Sequence, residues 1–223
     1  TLAITQINPT TIQIQETSGG TGPQIQALAG VTQIDAQTVQ IDVSGGNSGM
    51  VLNTGDFGTN GGTDSITFTN AVTLGGDLTI NGSDTVSING DLLLNNNGNL
   101  AFTGATAINL GGNVNTGTGN QTYNAPVALT ADATLTGGTV TFDGTVDGGQ
   151  ALTVSASTQA IFNGDVGGGT NLTSLDTSGS SATVFGNNAA VTQTGLTLNW
   201  DASQAGGNDL SLIHISEPTR HRG

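Results

Sequence analysis

Cysteine is absent from all 223 residues. That one absence removes disulfides, thiolate zinc sites and thiol nucleophiles together. Positive charge is almost as scarce. The only basic residues, Arg220 and Arg222, and both histidines, His214 and His221, lie at the far end of the chain. Residues 1–209 hold no Lys, Arg or His, and with Glu217 set aside from the 16 acidic residues their net charge is −15. A surface of one sign repels phosphate, so nucleic acid is excluded as a partner. Anionic membranes and acidic polysaccharides are disfavoured for the same reason. Proline numbers 4 and charged residues are 8% of the chain, against roughly 25% charged in ordinary globular proteins. No apolar run approaches the roughly 20 residues of a membrane helix, so no transmembrane segment is expected.

What fills the chain instead is Gly, Thr, Asn and β-branched residues. Glycine alone numbers 36. Disordered chains combine low hydrophobicity with much charge and proline, and this one has neither. The composition therefore points to an ordered all-β chain with many turns.

A seven-residue phrase recurs along it. Ile66–Val72 reads ITFTNAV, Leu100–Thr106 LAFTGAT, Gln121–Val127 QTYNAPV, Val140–Val146 VTFDGTV, Ala160–Val166 AIFNGDV and Thr183–Ala189 TVFGNNA. Val86–Leu92, VSINGDL, has Ile88 in the aromatic's place. Most starts are 19 to 23 residues apart; the step from 86 to 100 is shorter. Within a unit, apolar and polar residues alternate with the strand period of two, and Gly, Asn, Asp and Ser mark the bends. The half-phrases Leu74–Ile80, Leu129–Leu135 and Leu172–Leu175 repeat in the same manner.

A fixed period near 20 is the signature of a β-solenoid, one coil per repeat. Chains of Ig-like sandwiches repeat at about 100 residues and do not fit. The expected fold is an all-β parallel β-helix with coils of about 19–27 residues. Like positions should stack at about 4.8 Å, with Phe102, Tyr123, Phe142 and Phe162 buried in neighbouring coils. Residues 1–65 form irregular N-terminal coils, with Ile12–Ser18 and Val39–Gly45 echoing the phrase at 27-residue spacing and a loop at Thr54–Asp64 around Phe57. Residues 66–209 form the regular coils, continuous with the first part.

Candidates for chemistry are few. General acid–base work needs a group of suitable pKa, and residues 1–209 supply only Asp, Glu16 and Tyr123. Asp143 and Asp147 are four apart, and no two Asp are adjacent. Asp91, Asp143 and Asp165 stand beside Gly or Asn, where Asp serves turn chemistry. Calcium could bind loosely at stacked turn carboxylates; the tandem calcium nonapeptide is missing, with Gly206–Leu210 a lone echo. Thr139, Thr141, Thr145, Thr134 and Thr136 read as ordinary outward strand residues. Trp200 reads as a core or capping residue. Sequons begin at Asn81, Asn120 and Asn171 and matter only in a eukaryotic secretory chain. No catalytic, cofactor-binding or metal-binding residue is assigned.

The phrases GNQTYNAPVALTADATLTG, VTFDGTVDGGQALTV and AIFNGDVGGGTNLTSL resemble the strand repeats of very large bacterial surface proteins, the filamentous-haemagglutinin-like and autotransporter-passenger-like adhesins. The resemblance covers 66–200 closely and 1–65 loosely. It implies a right-handed β-helical stalk or display scaffold, part of a much longer non-enzymatic adhesin. It also implies export to the extracellular outer-membrane surface and a host, cell-surface or glycan receptor as partner. Two other readings stand beside it: a polysaccharide-active β-helix enzyme, and a calcium-stabilised surface-layer or biofilm matrix protein. Leu210–Arg220, LSLIHISEPTR, resembles over all eleven positions a one-frame translation of the mosaic-end adapter of transposase-based sequencing libraries. That resemblance implies an artefactual tail over 210–223.

Overall fold

The computed structural model describes residues 2–8, 11–16, 31–35, 38–42, 49–53, 65–82, 84–177 and 179–186. Among them there is no helix, and none therefore that could cross a membrane. Five strands come first: β1 (Leu2–Asn8), β2 (Thr11–Glu16), β3 (Val31–Asp35), β4 (Thr38–Asp42) and β5 (Met50–Asn53). From Ser65 the strands come in sets of three, one set per coil. The first set is β6 (Ser65–Phe68), β7 (Val72–Leu74) and β8 (Leu78–Asn81). The second is β9 (Thr85–Ile88), β10 (Leu92–Leu94) and β11 (Leu100–Phe102), and the third β12 (Ala107–Leu110), β13 (Val114–Asn115) and β14 (Gln121–Tyr123). In the next two coils the second and third strands fuse: β15 (Val127–Leu129) precedes β16 (Ala133–Phe142), and β17 (Val146–Asp147) precedes β18 (Ala151–Phe162). β19 (Ser174–Asp176) and β20 (Thr183–Phe185) close the series.

From β6 onward each strand pairs in parallel with its counterpart one coil away, and β1 and β5 join the same stacks, which makes a β-solenoid of about six turns. Three files of strands result. File one runs β1, β6, β9, β12, β15, β17. File two runs β7, β10, β13, the first halves of β16 and β18, then β19. File three runs β5, β8, β11, β14, the second halves of β16 and β18, then β20. The partners Ile66, Val86, Ile108, Val127 and Val146 on file one set coil lengths of 19 to 22 residues.

The alternation in sequence becomes an inside and an outside. Burial follows the pattern in–out–in along nearly every short strand, as in β7, β10 and β15. Val, Leu, Ile and Phe fill the interior as columns of like on like, each contributing on the order of 1.5–3 kcal/mol. On file three Leu52, Ile80 and Phe102 are in register. Phe102, Tyr123, Phe142, Phe162 and Phe185 then continue as one stack, with ring centroids 4.9 to 5.3 Å apart. The first four rings are fully buried. The expected ladder is therefore present, and Phe185 extends it.

Two expectations are corrected. Phe68 and Ile88 do not belong to that ladder: they pair with each other on file one, with Ile4 beneath. The phrase marks any inward residue followed by a bend and a new strand, and each coil has three such places. The short step from 86 to 100 is a passage from file one to file three, not a short coil. The half-phrases are shifted likewise: Leu74–Ile80 crosses from file two to file three, and Leu129–Leu135 from file one to file two. Second, the strands at Ile12 and Val39 are not rising coils. β1 pairs antiparallel with β2, β2 with β4, and β4 with β3. Period-two alternation suits both pairings, so it could not tell them apart. Thr54–Asp64 with Phe57, Trp200, Gly206–Leu210 and the 210–223 tail lie outside the described residues.

Candidate functional site

The polar side chains with defined geometry gather at the bends, and they link coil to coil. At the bend entering file three, Asp77 Oδ1 accepts from Asn99 N at 2.7 Å and from Asn99 Nδ2 at 3.1 Å. Asn99 Oδ1 accepts from Asn120 N at 2.8 Å, and Asn120 Oδ1 from Thr139 N at 2.9 Å. At the bend entering file two, Asp91 Oδ1 accepts from Asn113 N and Nδ2 at 2.9 and 3.0 Å, and Asn113 Oδ1 from Thr134 N at 2.8 Å. Asp132 Oδ1 accepts from Ala151 N at 2.8 Å. In each case a side-chain oxygen satisfies a backbone N–H of the following coil, where the bend has interrupted the ladder of backbone bonds.

Asp143 and Asp147, the nearest approach to a carboxylate pair in the sequence, stand at different places: Asp143 directly follows β16, and Asp147 ends β17 on file one. Asp143 Oδ1 accepts from Asn163 Nδ2 at 2.8 Å. Asp147 Oδ1 accepts from Gly169 N at 2.7 Å and Thr170 N at 3.2 Å. The two carboxylates thus serve different bends and different partners. Among the described residues no three His, Asp or Glu side chains converge on a point that could hold a metal ion. Glu16 ends β2. The three threonines 79, 122 and 141 do share one outward file, but Ala101 and Ile161 interrupt it. Of the sequon asparagines, Asn81 accepts from the Thr103 hydroxyl, Asn120 accepts from Thr139 N, and Asn171 is exposed.

Tyr123, with Gln121 and Thr116, departs from the outward polar surface. The Tyr123 ring is inside, and burial pushes its phenol well above the ordinary value of 10.0. The hydroxyl donates to Gln121 Oε1 at 2.8 Å, so it is desolvated but not unpaired. Gln121 and Thr116 are the buried polar residues among those described.

The ladders were not read from the sequence, although a signal was there. Asp77–Asn99, Asp91–Asn113 and Asn99–Asn120 are spaced 21 or 22 residues, one coil apart. Comparison of the chain with protein-family models, with curated proteins and with solved structures gave no match. The β-solenoid itself is the secure class: a β-helical repeat protein whose bends are pinned by Asp and Asn.

Proposed function

We propose that the chain is a shaft segment of a large bacterial surface adhesin of the filamentous-haemagglutinin-like or autotransporter-passenger-like kind. In this reading it is exported, does no chemistry, and holds adhesive or displayed parts at a distance from the cell. The observation that supports it is the Asp77–Asn99–Asn120–Thr139 ladder with its Asp91–Asn113–Thr134 counterpart. Carboxylates that would otherwise be candidates for acid–base work are engaged in joining coils. A repeat built this way adds length by adding coils, each worth about 4.8 Å of reach. The outer surface carries one sign of charge, which suits a neutral glycan or a cationic protein receptor and not an anionic one.

The test uses the intact chain. Immobilised on beads, it is assayed for attachment to cells and to neutral glycans, and in parallel for turnover of uronic-acid and neutral polysaccharides. Attachment without turnover is expected. Turnover that disappears in Asp143→Asn or Asp147→Asn would replace the shaft reading with that of a polysaccharide-active enzyme. Calcium-dependent melting of the same chain would favour the surface-layer reading instead.

A further inference from the structure

Among the described residues the interior is apolar except in one coil. Thr116 and Gln121, both fully buried, lie in the coil of β13 and β14 together with the buried Tyr123 hydroxyl. Gln121 stands between Leu100 below and Val140 above, in a column otherwise aliphatic at those levels. Its Nε2 donates to the Thr136 carbonyl at 2.8 Å and to Thr116 Oγ1 at 3.2 Å. Its Oε1 receives the Tyr123 hydroxyl. Thr116 Oγ1 donates to the Gly119 carbonyl at 2.7 Å. Gln121 Nε2 also lies 3.5 Å from the Val114 carbonyl of its own coil, but its shortest bond needs the next coil, because Thr136 belongs to that coil.

That next coil is admitted on a narrow condition. A Cβ on Gly137 would lie 2.9 Å from Thr116 Oγ1, 3.0 Å from the Gly119 carbonyl oxygen and 3.2 Å from Gln121 Nε2. A Cβ on Gly138 would lie 2.3 Å from the Thr118 carbonyl oxygen. One coil further on, the residue in register with Gly137 is Ala156. The geometry points to an internal key: the Thr116 and Gln121 side chains, held by the Tyr123 hydroxyl and flanked by the Thr118 and Gly119 carbonyls, accept the Gly137–Gly138 coil and reject its successor.

Such a key answers a problem that repetition creates. VTFDGTV and AIFNGDV would each place an aromatic over Tyr123 and a β-branched or small residue over Gln121. Apolar columns alone do not distinguish them. Misplacing the later coil would leave the earlier one looped out, an error that closes at modest loop entropy and survives as a folding trap. With the key present, Ala156 meets the Thr116 hydroxyl and the Gly119 carbonyl, and the Gln121 amide is left poorly paired in an apolar interior. Polar groups that fix register in otherwise degenerate apolar packing are known from helical assemblies.

The absence of cysteine makes the test direct. Thr122 is in register with Thr141, and Thr141 with Ile161. Cysteines at 122 and 141 therefore report correct stacking. Cysteines at 122 and 161 lie two coils apart, about 9.6 Å, beyond the roughly 7 Å limit for a disulfide. They join only when the later coil takes the earlier one's place. Each pair is introduced into the full chain, which is unfolded and refolded under oxidising conditions. With the key intact, the 122–141 disulfide is expected and the 122–161 disulfide stays at background. In Thr116→Ala/Gln121→Leu/Tyr123→Phe, which removes both the Oγ1 that Ala156 would meet and the polar group it would strand, the 122–161 product is expected to rise about tenfold, the ratio one unsatisfied buried polar group corresponds to. An unchanged yield in a refolded triple variant overturns the key. Should that variant fail to fold, Ala156→Gly/Ser157→Gly with Thr158 deleted gives the later coil the glycine pair and the bend length of the earlier one and leaves the key in place. It is expected to raise the same product, and an unchanged yield there overturns the proposal by itself.

Discussion

β1 belongs to two kinds of sheet at once. Along one edge it pairs in parallel with β6 and begins the coil stack; along the other it pairs antiparallel with β2. On the stack side each inward residue meets its own counterpart one coil on, as Ile66 meets Val86. On the other side the partners come from antiparallel reversal: Ile4 meets Ile14 across the β1–β2 hairpin, and β2 in turn pairs with β4 at Ile12 and Ile41. Ile4 and Ile12 are as fully buried as anything in the shaft. The two regions use the same alternating residues, and what separates them is the source of register. In the coils it comes from repetition, and in the first strands from local reversal. Repetition allows close stacking of identical bends, and it carries a slippage hazard that reversal does not.

The sharpest way to break the comparison is to remove a column member. Phe142→Ala opens a cavity between Tyr123 and Phe162 and is expected to cost about 3–5 kcal/mol in denaturant unfolding. Ile14→Ala, at a side chain slightly less enclosed than Phe142, should cost about 2 kcal/mol, the low end for that truncation. Equal losses would mean that the first strands are packed as heavily as the shaft.

Close approach of bends comes next. A Cβ on Gly164 would sit 2.4 Å from the Gly144 carbonyl oxygen, whereas one on Gly149 would meet nothing within 4 Å. Gly164→Ala is expected to destabilise by about 1–3 kcal/mol and Gly149→Ala to stay within about 0.5 kcal/mol of the parent. A neutral Gly164→Ala would show that the coils can spread apart without cost.

Alkaline titration isolates one residue. Tyr123 is the single tyrosine, and neither Lys nor Cys is present to titrate near it. Burial raises its folded pKa above 10.0, so above that pH the unfolded chain gives up a proton that the folded chain keeps. Stability contributed by the neutral phenol is therefore full below pH 10 and falls above it, by about 1.4 kcal/mol per pH unit. Tyr123→Phe should abolish that slope. A slope that persists in Tyr123→Phe would place its origin elsewhere.

The smallest effect is at the ladders. Asn99→Asp removes the donor to Asp77 and sets carboxylate over carboxylate, an expected loss of roughly 0.2–1 kcal/mol. Added salt should recover most of it, since these groups are exposed. Insensitivity to salt would show that the lost amide donor, not the charge, matters there.

Much of this was legible in the sequence. The period near 20 and the alternation specified stacked parallel coils, and the aromatics at 102, 123, 142 and 162 specified their ladder. Strand–bend–strand recurs three times per coil, so Phe68 and Ile88 looked equivalent to residues on another file. The same alternation hid the antiparallel pairing of β2 and β4. Asp91 and Asp143 were rightly read at bends, but their partners Asn113 and Asn163 lie a full coil away, beyond any local turn motif. Gln121 carried the clearest missed signal: it opens QTYNAPV where the other phrases open on Ile, Leu, Val, Ala or Thr.

The direction in which coils bond has a mechanical meaning. Hydrogen bonds such as Val127 N to the Thr145 carbonyl and Thr130 N to the Leu110 carbonyl join one coil to the next, so they lie along the long axis. A pull from end to end loads every coil junction in series, and the weakest yields first. A released coil of about 20 residues lengthens from about 4.8 Å of shaft to about 70 Å of extended chain. The solenoid is thus stiff until one junction opens, and it then yields in steps of a single coil, each step capping the load that the remaining coils carry.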